Sequence, residues 1–435
     1  MSDPLDFLSS LERLGMKFGL ENIATLCAAL GHPEHTFKSI VIAGTNGKGS
    51  VTVMVETALR AAGHRAARYT SPHLVRLEER FVIDGREVET NVLREVVGSV
   101  QGTIDSLMKN GRLEALPTFF ECTTAVAFEL FRRAGVQVAV LEVGLGGRLD
   151  ATNVVTPIAT AITSIDFDHQ AQLGTTLESI AREKAGIAKP GAPLVTQRYS
   201  DSLFPVMLDA AARNRTQWFA MGETWDAAAY RDRLHYRDDQ GHLETPLPRL
   251  PGAHQVHNAA LAFAMLRHQS VVPVREAALK AAPLWAHWPA RLQRLDHGPL
   301  LAPLPENSEA WLDGGHNAGA GEAIAAFFTP DRLEGQKLQL VIGMLSNKDL
   351  DAYLVPFAGR IAHIHVLPVR GHDHHPPERF AAIANLWGIS CTAHDTAEEA
   401  IKTIAAAGNA APKLLIAGSL YLAGEILRLN GQYPD

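Results

Sequence analysis

Ser39-Ile-Val-Ile-Ala-Gly-Thr-Asn-Gly-Lys-Gly-Ser50 is the stretch on which the fold turns. Ser39–Ala43 is a short apolar run of the kind that forms a buried strand. From about Ser50 to Ala62 the pattern reads as a helix, ended by Gly63. The turn between them is rich in glycine. Such a turn lets backbone N–H groups approach phosphate oxygens closely, and the following helix directs its positive end at them. Lys48 would reach the terminal phosphates, with the Ser50 hydroxyl near phosphate or metal. The common G-x-x-x-x-G-K-[ST] pattern is not met, because position 42 is Ile and Gly49 precedes Ser50. A glycine-rich turn after a strand is often only a turn. The combination of Thr45, Asn46, Lys48 and Ser50 favours phosphate.

Strands and helices alternate outward from this loop. Leu5, Leu8, Leu11 and Leu14 share a helical face before it. Arg65–Tyr69, Val136–Val143, Ile158–Ile165 and a short run at Leu194-Val195 read as further strands. Near-continuous apolar strands separated by helices imply a mostly parallel sheet covered on both faces. Residues 222–251 change character and suggest small antiparallel strands, followed by a helix from about His257 to Arg267. The proline-containing stretch 285–305 approaches a domain linker. After it the α/β pattern restarts at Trp311-Leu312, Leu338–Ile342, Ile361–Leu367 and Leu414–Ala417. The expected division is 1–294 and 295–435, the second part being a smaller Rossmann-like α/β domain.

Open parallel sheets bind ligands outside the carboxyl ends of their strands. Four predicted strands end in useful chemistry: the phosphate loop, Thr70-Ser-Pro-His73, Glu142 with the glycines after it, and Asp166-Phe-Asp-His169. Ser71, Glu142 and His169 together would form a shell for magnesium beside a triphosphate, and the imidazole would also suit manganese. Each has a plainer reading alone: Ser71 as a cap, Glu142 paired with Arg148, His169 bonded to a loop carbonyl. Thr175-Thr-Leu-Glu178 has the spacing of a capping box, so a helix is expected to begin there. Lys184 falls on its apolar stripe with Leu177 and Ile180. Burial would favour the neutral amine, which carbon dioxide can convert to a carbamate ligand. The plain alternative is a snorkelling lysine.

The chain has 435 residues, 46% of them hydrophobic, and a formal net charge of -7. That balance disfavours a nucleic-acid binder. Cys27, Cys122 and Cys391 lie far apart without a CxxC spacing, which suits inert thiols in a reducing compartment. The first residues lack a basic segment followed by an apolar run, and no stretch has the ~18 uninterrupted apolar residues of a membrane span. The expectation is a cytoplasmic protein without a membrane partner.

These segments resemble the folylpolyglutamate synthase/dihydrofolate synthase family of the Mur ligase superfamily. The matching runs are Gly44–Ser50, Thr70–Val75, Leu141–Asn153, Arg182–Ile187, His257–Ala260, Asp313–Asn317, Val341–Leu345 and Gly418–Tyr421, in order over nearly the whole chain. The run after Glu142 is the most specific, since it separates this family from other Mur-type ligases. The resemblance implies a Mur-ligase-like P-loop ATPase domain and a C-terminal glutamate-ligase domain. It implies an acid–amino-acid ligase that uses ATP and Mg2+, or Mn2+, to join L-glutamate to dihydropteroate or a folylpolyglutamate. By resemblance, Thr45, Asn46, Gly47, Lys48, Gly49 and Ser50 bind ATP phosphates. Asn258, Arg291 and Asp313 are ATP contacts across the domain cleft, with His316 close by as a weak candidate base. Ser71, Glu142 and His169 hold the metal, and Lys184 is similar to the carbamylated lysine. Thr118, Phe119, Phe120, Glu121, Leu149, Asp150 and Ala151 line the pterin side. A monomer is expected.

The chain departs from the family pattern at Ala290 and Gly315, where the family often has Gly and Ala, and at Ala318 in place of Pro. It departs more in the His-rich tract Gly371–Pro377, which reads as an exposed loop or a metal-binding stretch. Two rivals remain: another Mur-type ligase acting on a cell-wall nucleotide precursor, and a non-catalytic ATP-gated binding protein. The glycine-rich run counts against the first. The intact set Lys48, Glu142, His169 and Lys184 counts against the second.

Overall fold

The computed structural model describes residues 3–12, 15 and 19–434. The chain forms two compact units. One comprises 1–249 and 256–286, the other 250–255 and 287–435.

The first unit is built on an eight-stranded sheet. Its strands are β1 (Lys38–Ala43), β2 (Ala66–Tyr69), β3 (Phe81–Ile83), β4 (Arg86–Glu87), β5 (Val138–Glu142), β6 (Pro157–Ile162), β7 (Leu194–Thr196) and β8 (Trp218–Ala220). Their order is β4-β3-β2-β5-β1-β6-β7-β8. Pairing is parallel from β2 through β8, and β3 and β4 add an antiparallel edge. The central strands are buried almost end to end, which is why they read as apolar runs rather than alternating ones. Helix Lys48–Ala61 buries residues on all sides, and Phe119–Arg133 packs Phe128 and Phe131 into the core. The opening helix Pro4–Leu11 buries Leu8 and Leu11, with Asp3 accepting from the Leu5 amide as its cap. Leu14 lies outside the described residues.

A three-stranded antiparallel sheet follows, with β9 (Trp225–Tyr230), β10 (Arg233–Asp238) and β11 (Gly241–Pro246). It is the small-strand region expected at 222–251. The next helix runs from His254 to His268, longer than the expected His257–Arg267.

The second unit has its own six-stranded sheet: β12 (Gln293–Arg294), β13 (Glu309–Leu312), β14 (Leu338–Ile342), β15 (Ile361–Val366), β16 (Ser390–Ala393) and β17 (Lys413–Ala417). The order is β12-β13-β17-β14-β15-β16, parallel except for β12. Its core centres on Phe328, Tyr353, Phe357 and Phe380. Strands β12 and β16 were not foreseen. The first is a two-residue edge, and the second, Ser-Cys-Thr-Ala, is half exposed, so neither carries an apolar signal.

Two further helix starts differ from expectation. The helix after the phosphate loop begins at Lys48 rather than Ser50. The later helix begins at Leu177, capped by Thr176 with Ser179 as its reciprocal partner, one residue beyond the Thr175/Glu178 box. Thr176 accepts from the Ser179 amide at 3.1 Å. Ser and Glu compete for that third position, and here the shorter side chain closes the turn.

Candidate functional site

Strands β2, β5, β1 and β6 are consecutive in the sheet, and these are the four whose carboxyl ends carry chemistry. Neighbouring strands lie about 4.8 Å apart, so their ends share one rim. Glu142 is paired in register with Ile42, two residues before Gly44. The Val143 amide donates to Ile42 O at 3.0 Å.

The β6 end braces the phosphate loop directly. The Thr45 amide donates to Ser164 O at 2.7 Å and the Asn46 amide to Ser164 Oγ at 2.9 Å. Thr163 Oγ1 donates to Asn46 O at 2.6 Å, and the Asp166 amide to Thr45 Oγ1 at 3.1 Å. Two loop glycines are required by shape. Gly47 has φ +89, and a Cβ there would lie 2.8 Å from Asn258 Oδ1. Gly44 has φ +151 and sits against Thr163. Asn258 is thereby placed against the loop, and it accepts from Gln197 Nε2 at 3.0 Å. Gln197, just past β7, was missed in the sequence. Its signal is position, one strand further along the same rim.

Two lysines from separate elements meet at one carbonyl. Lys48 Nζ donates to Gly44 O at 3.1 Å and to Thr45 O at 3.2 Å. Lys184 Nζ donates to Gly44 O at 2.9 Å from helix Leu177–Ala185. Lys184 is 4% exposed, which removes the snorkelling alternative. Burial, then the charge of Lys48, lowers its ammonium to about 7, opposed by Asp168 and Asp150.

Ser71 and Glu142 are brought together, the Ser71 amide donating to Glu142 Oε2 at 3.3 Å. Glu142 is buried, at 5% exposure. Arg148, its expected alternative partner, is bound to Glu183 instead at 2.9 Å. His169 lies on the loop after β6 with φ 52, its Nε2 3.8 Å from Asp168 Oδ1. Ser71 and Glu142 sit on neighbouring strand ends and offer oxygen donors of the kind a divalent cation takes, whereas His169 follows β6, two strands from β5, with its imidazole nearest Asp168.

The pterin-side candidates form one cluster. Thr118 caps helix Phe119–Arg133 in a reciprocal box with Glu121, whose Oε2 accepts from the Thr118 amide at 2.8 Å. Gly144 passes over Phe120, leaving only 2.7 Å between a would-be Cβ and the ring. Asp150 organises the glycine-rich run, accepting from the amides of Gly144 (2.9 Å), Leu145 (3.0 Å) and Thr152 (3.0 Å). Burial raises its carboxyl against these bonds. Leu149 is half-buried, and Ala151 opens the short turn Ala151–Val154. Beside them, Arg80 stands 5.0 Å over the Phe119 ring and donates to His73 Nδ1 at 2.9 Å. Burial and the Arg80 charge push His73 down to about 4. Arg80 was not foreseen, because it lies in a short turn with no motif of its own.

In the second unit, Arg291, Asp313 and His316 gather around Gly314. Asp313 accepts from the amides of Leu292 (2.8 Å) and Gly315 (2.7 Å), and Arg291 Nη1 donates to Ala290 O at 2.8 Å. His316 Nδ1 is 3.1 Å from Gly314 O. The His-rich tract is a loop held by carbonyls: His374 Nδ1 is 2.9 Å from His372 O, and His375 Nε2 is 2.8 Å from Lys348 O.

Among the described residues, no helix is long and apolar enough to cross a membrane. A model of the Mur ligase middle domain matches residues 87–266, and one of the dihydrofolate synthetase C-terminal domain matches 301–429. The folylpolyglutamate synthase of Lacticaseibacillus casei is 30% identical over 436 residues, covering 98% of this chain and 97% of its own. A probable bifunctional folylpolyglutamate synthase/dihydropteroate synthase of Halobacterium salinarum is 35% identical over 432 residues; the alignment takes in 97% of this chain but spans only 50% of that protein. A solved bifunctional folylpolyglutamate synthase/dihydrofolate synthase with Mn, AMPPNP and L-glutamate bound matches with a TM-score of 0.83 at 30% identity, covering 98% of each chain. The chain belongs to the folylpolyglutamate synthase/dihydrofolate synthase family.

Proposed function

We propose that this chain is an ATP-dependent acid–amino-acid ligase that adds L-glutamate to dihydropteroate, to a folylpolyglutamate, or to both. The observation that carries the reading is the convergence of Lys48 and Lys184 on Gly44 O, beside buried Glu142. Two amines held this close disfavour each other's charge, which holds Lys184 towards its neutral form and leaves Lys48 to meet the phosphates of a nucleotide triphosphate.

The substrate carboxylate attacks the γ-phosphorus of ATP, ADP leaves, and an acyl phosphate forms. The glutamate amine then attacks the acyl carbon, loses its proton, and phosphate departs with its bonding pair. Both steps rest on positioning and charge neutralisation, so no nucleophilic side chain is required. Thr45, Asn46, Gly47, Gly49 and Ser50 orient the phosphates through the loop, and Lys48 offsets charge on the transferring group. Ser71, Glu142 and His169 would hold a magnesium or manganese ion, which when bound adds positive charge beside the phosphate oxygens. Thr118–Glu121 and Leu149–Ala151 shape the pterin side. Within them, the Glu121 and Asp150 carboxylates act by fixing the backbone. We assign the nucleotide and pterin roles to the first unit. The second supplies the glutamate-ligase role, with Arg291 and Asp313 as nucleotide contacts and His316 as candidate base.

Lys184 is the carbamylation candidate. It is buried, its amine is substantially neutral near pH 7, and it adjoins the phosphate loop. Carbon dioxide would add to the neutral amine with loss of one proton, leaving an anionic oxygen ligand. We place the protein in the cytoplasm, in keeping with its three free thiols, and assign it as a monomer.

Phosphate release should require ATP, L-glutamate and a pterin carboxylate together, with a product heavier by one glutamyl residue. Lys48→Ala should lower turnover by roughly 100-fold or more. Near-normal turnover in that variant would refute the phosphate-loop assignment. Equal turnover with a nucleotide-linked peptide would shift the acceptor to the cell-wall class.

A further inference from the structure

Among the described residues, two clusters bring three metal-capable side chains within 4.8 Å: His32/Glu34/His35 and Asp238/Asp239/His268. The second is already neutralised. Arg267 donates to both Asp238 oxygens, at 2.6 and 2.7 Å, and Tyr236 Oη adds a third bond at 2.9 Å. A cation there would meet a guanidinium.

The first cluster has no such competitor. Glu34 closes the floor of the short turn Pro33–His35, with its side chain only 5% exposed. Its Oε1 lies 2.8 Å from His32 Nδ1 and 3.6 Å from His35 Nε2. The two rings are parallel, 9° apart in plane with centroids at 4.9 Å, so both nitrogens face the same carboxylate. His32 holds φ 55, a left-handed conformation that costs a non-glycine residue about 1 kcal/mol. The second Glu34 oxygen, Oε2, is buried, and the Cys27 thiol hydrogen-bonds to this carboxylate. A buried carboxylate whose neighbours are a weak thiol donor and two partly exposed imidazoles keeps acceptor capacity that a cation would use. Cys27 lies behind the carboxylate. Its thiol is pushed up by burial and then by the Glu34 charge.

We propose that His32, Glu34 and His35 form a binding site for one zinc-like divalent cation, with two imidazole nitrogens, one carboxylate oxygen and an outer position open to water. Donor atoms around tetrahedral zinc lie ~3.4 Å apart, given metal–ligand distances of about 2.1 Å, and the observed separations bracket that value. Mixed nitrogen and oxygen donors favour zinc, cobalt or nickel over magnesium. The site precedes Lys38, the first residue of β1, while the phosphate loop follows Ala43 at the other end. It is therefore separate from the ligase chemistry. Its effect is to fasten the turn between helix Glu21–Ala29 and the strand that carries the loop.

The test uses the full chain, stripped with chelator and titrated with Co2+ while the visible d–d bands are followed, then with Zn2+ as competitor. Wild type should bind one equivalent that persists in His169→Ala and in His372→Asn/His374→Asn, which remove imidazoles beside the phosphate loop and in the His-rich tract. His32→Asn/His35→Asn should weaken that equivalent by roughly 100-fold. Glu34→Gln should weaken it too, and Zn2+ should raise the melting temperature of wild type but not of the double variant. Both imidazoles are more than half exposed, so the double substitution is not expected to unfold the chain. If it does, His35→Asn alone gives the same reading. Unchanged Co2+ stoichiometry and affinity in the histidine variants would overturn the proposal, as would a wild type whose every bound equivalent disappears with His169→Ala.

Discussion

Lys184 concentrates the residue-scale argument. Its ordinary partner would be a carboxylate, but its amine donates to a backbone carbonyl and lies near a second lysine. Only the neutral form reacts with carbon dioxide, and the neutral fraction falls as pH drops through about 7. Carbamate formation should therefore fade below that pH. With 13C-bicarbonate, the intact protein should show a carbamate carbonyl resonance at pH 8 that shrinks towards pH 6 and is missing in Lys184→Met. A folded wild type with no such signal at pH 8 would sink the assignment. The sign carries over to stability. This group has its folded value depressed below the usual lysine value of ~10.4, so the unfolded chain binds the proton more readily between about 7 and ~10.4. Across that window the Lys184 contribution improves as pH rises. Lys184→Met should flatten this slope in denaturation midpoints measured at several pH values.

At the scale of elements, the glycine-rich run and the Lys184 helix depend on each other. A Cβ on Gly147 would lie 2.9 Å from the carbonyl oxygens of both Glu183 and Lys184. Backbone cannot yield as a side-chain tip does, so Gly147→Ala should push the helix away and cost about 1–3 kcal/mol. Ligase activity should fall further than the midpoint shift explains, because Lys184 moves with the helix; a variant matching wild type in both urea midpoint and turnover would contradict this coupling. Elements of this kind explain what was legible in advance. Strands β1, β5, β6 and β14 were readable because burial on both faces leaves continuous apolar runs. The four chemical strand ends followed from them. Strands β12 and β16 were not readable, being short or half exposed, with their pairing supplied by neighbours distant in sequence. The same holds for Arg80 and Gln197: each is placed by tertiary packing and has no local pattern. Ala290 is a subtler case. The sequence shows only a small residue replacing the family's glycine, whereas the structure shows it at φ 51, where glycine would be unstrained. The capping shift from Thr175 to Thr176 is a one-residue ambiguity between two adjacent threonines that no periodicity resolves.

At the scale of the whole molecule, each unit has its own sheet and its own aromatic core, but the division is not a single cut. Residues 250–255 belong with 287–435 although 256–286 return to the first unit. The first unit holds the phosphate loop, the buried carboxylate and both converging lysines, so nucleotide affinity should reside largely there. A ligand that binds only the native state stabilises it by about 2.7 kcal/mol at 100 times its Kd. Saturating ADP with Mg2+ should accordingly raise the melting temperature of the full chain by several degrees, and Lys48→Ala should abolish most of that rise. A fragment of residues 287–435, whose core centres on Phe328, Tyr353, Phe357 and Phe380, should unfold cooperatively on its own. Its melting temperature should be indifferent to ADP, since Arg291 and Asp313 alone offer a guanidinium and a carboxylate already bonded to backbone. Calorimetry of the full chain and the fragment side by side separates the cases. A fragment stabilised by nucleotide as strongly as the full chain would move the principal phosphate site into the second unit, and with it the meaning of the loop at 44–50.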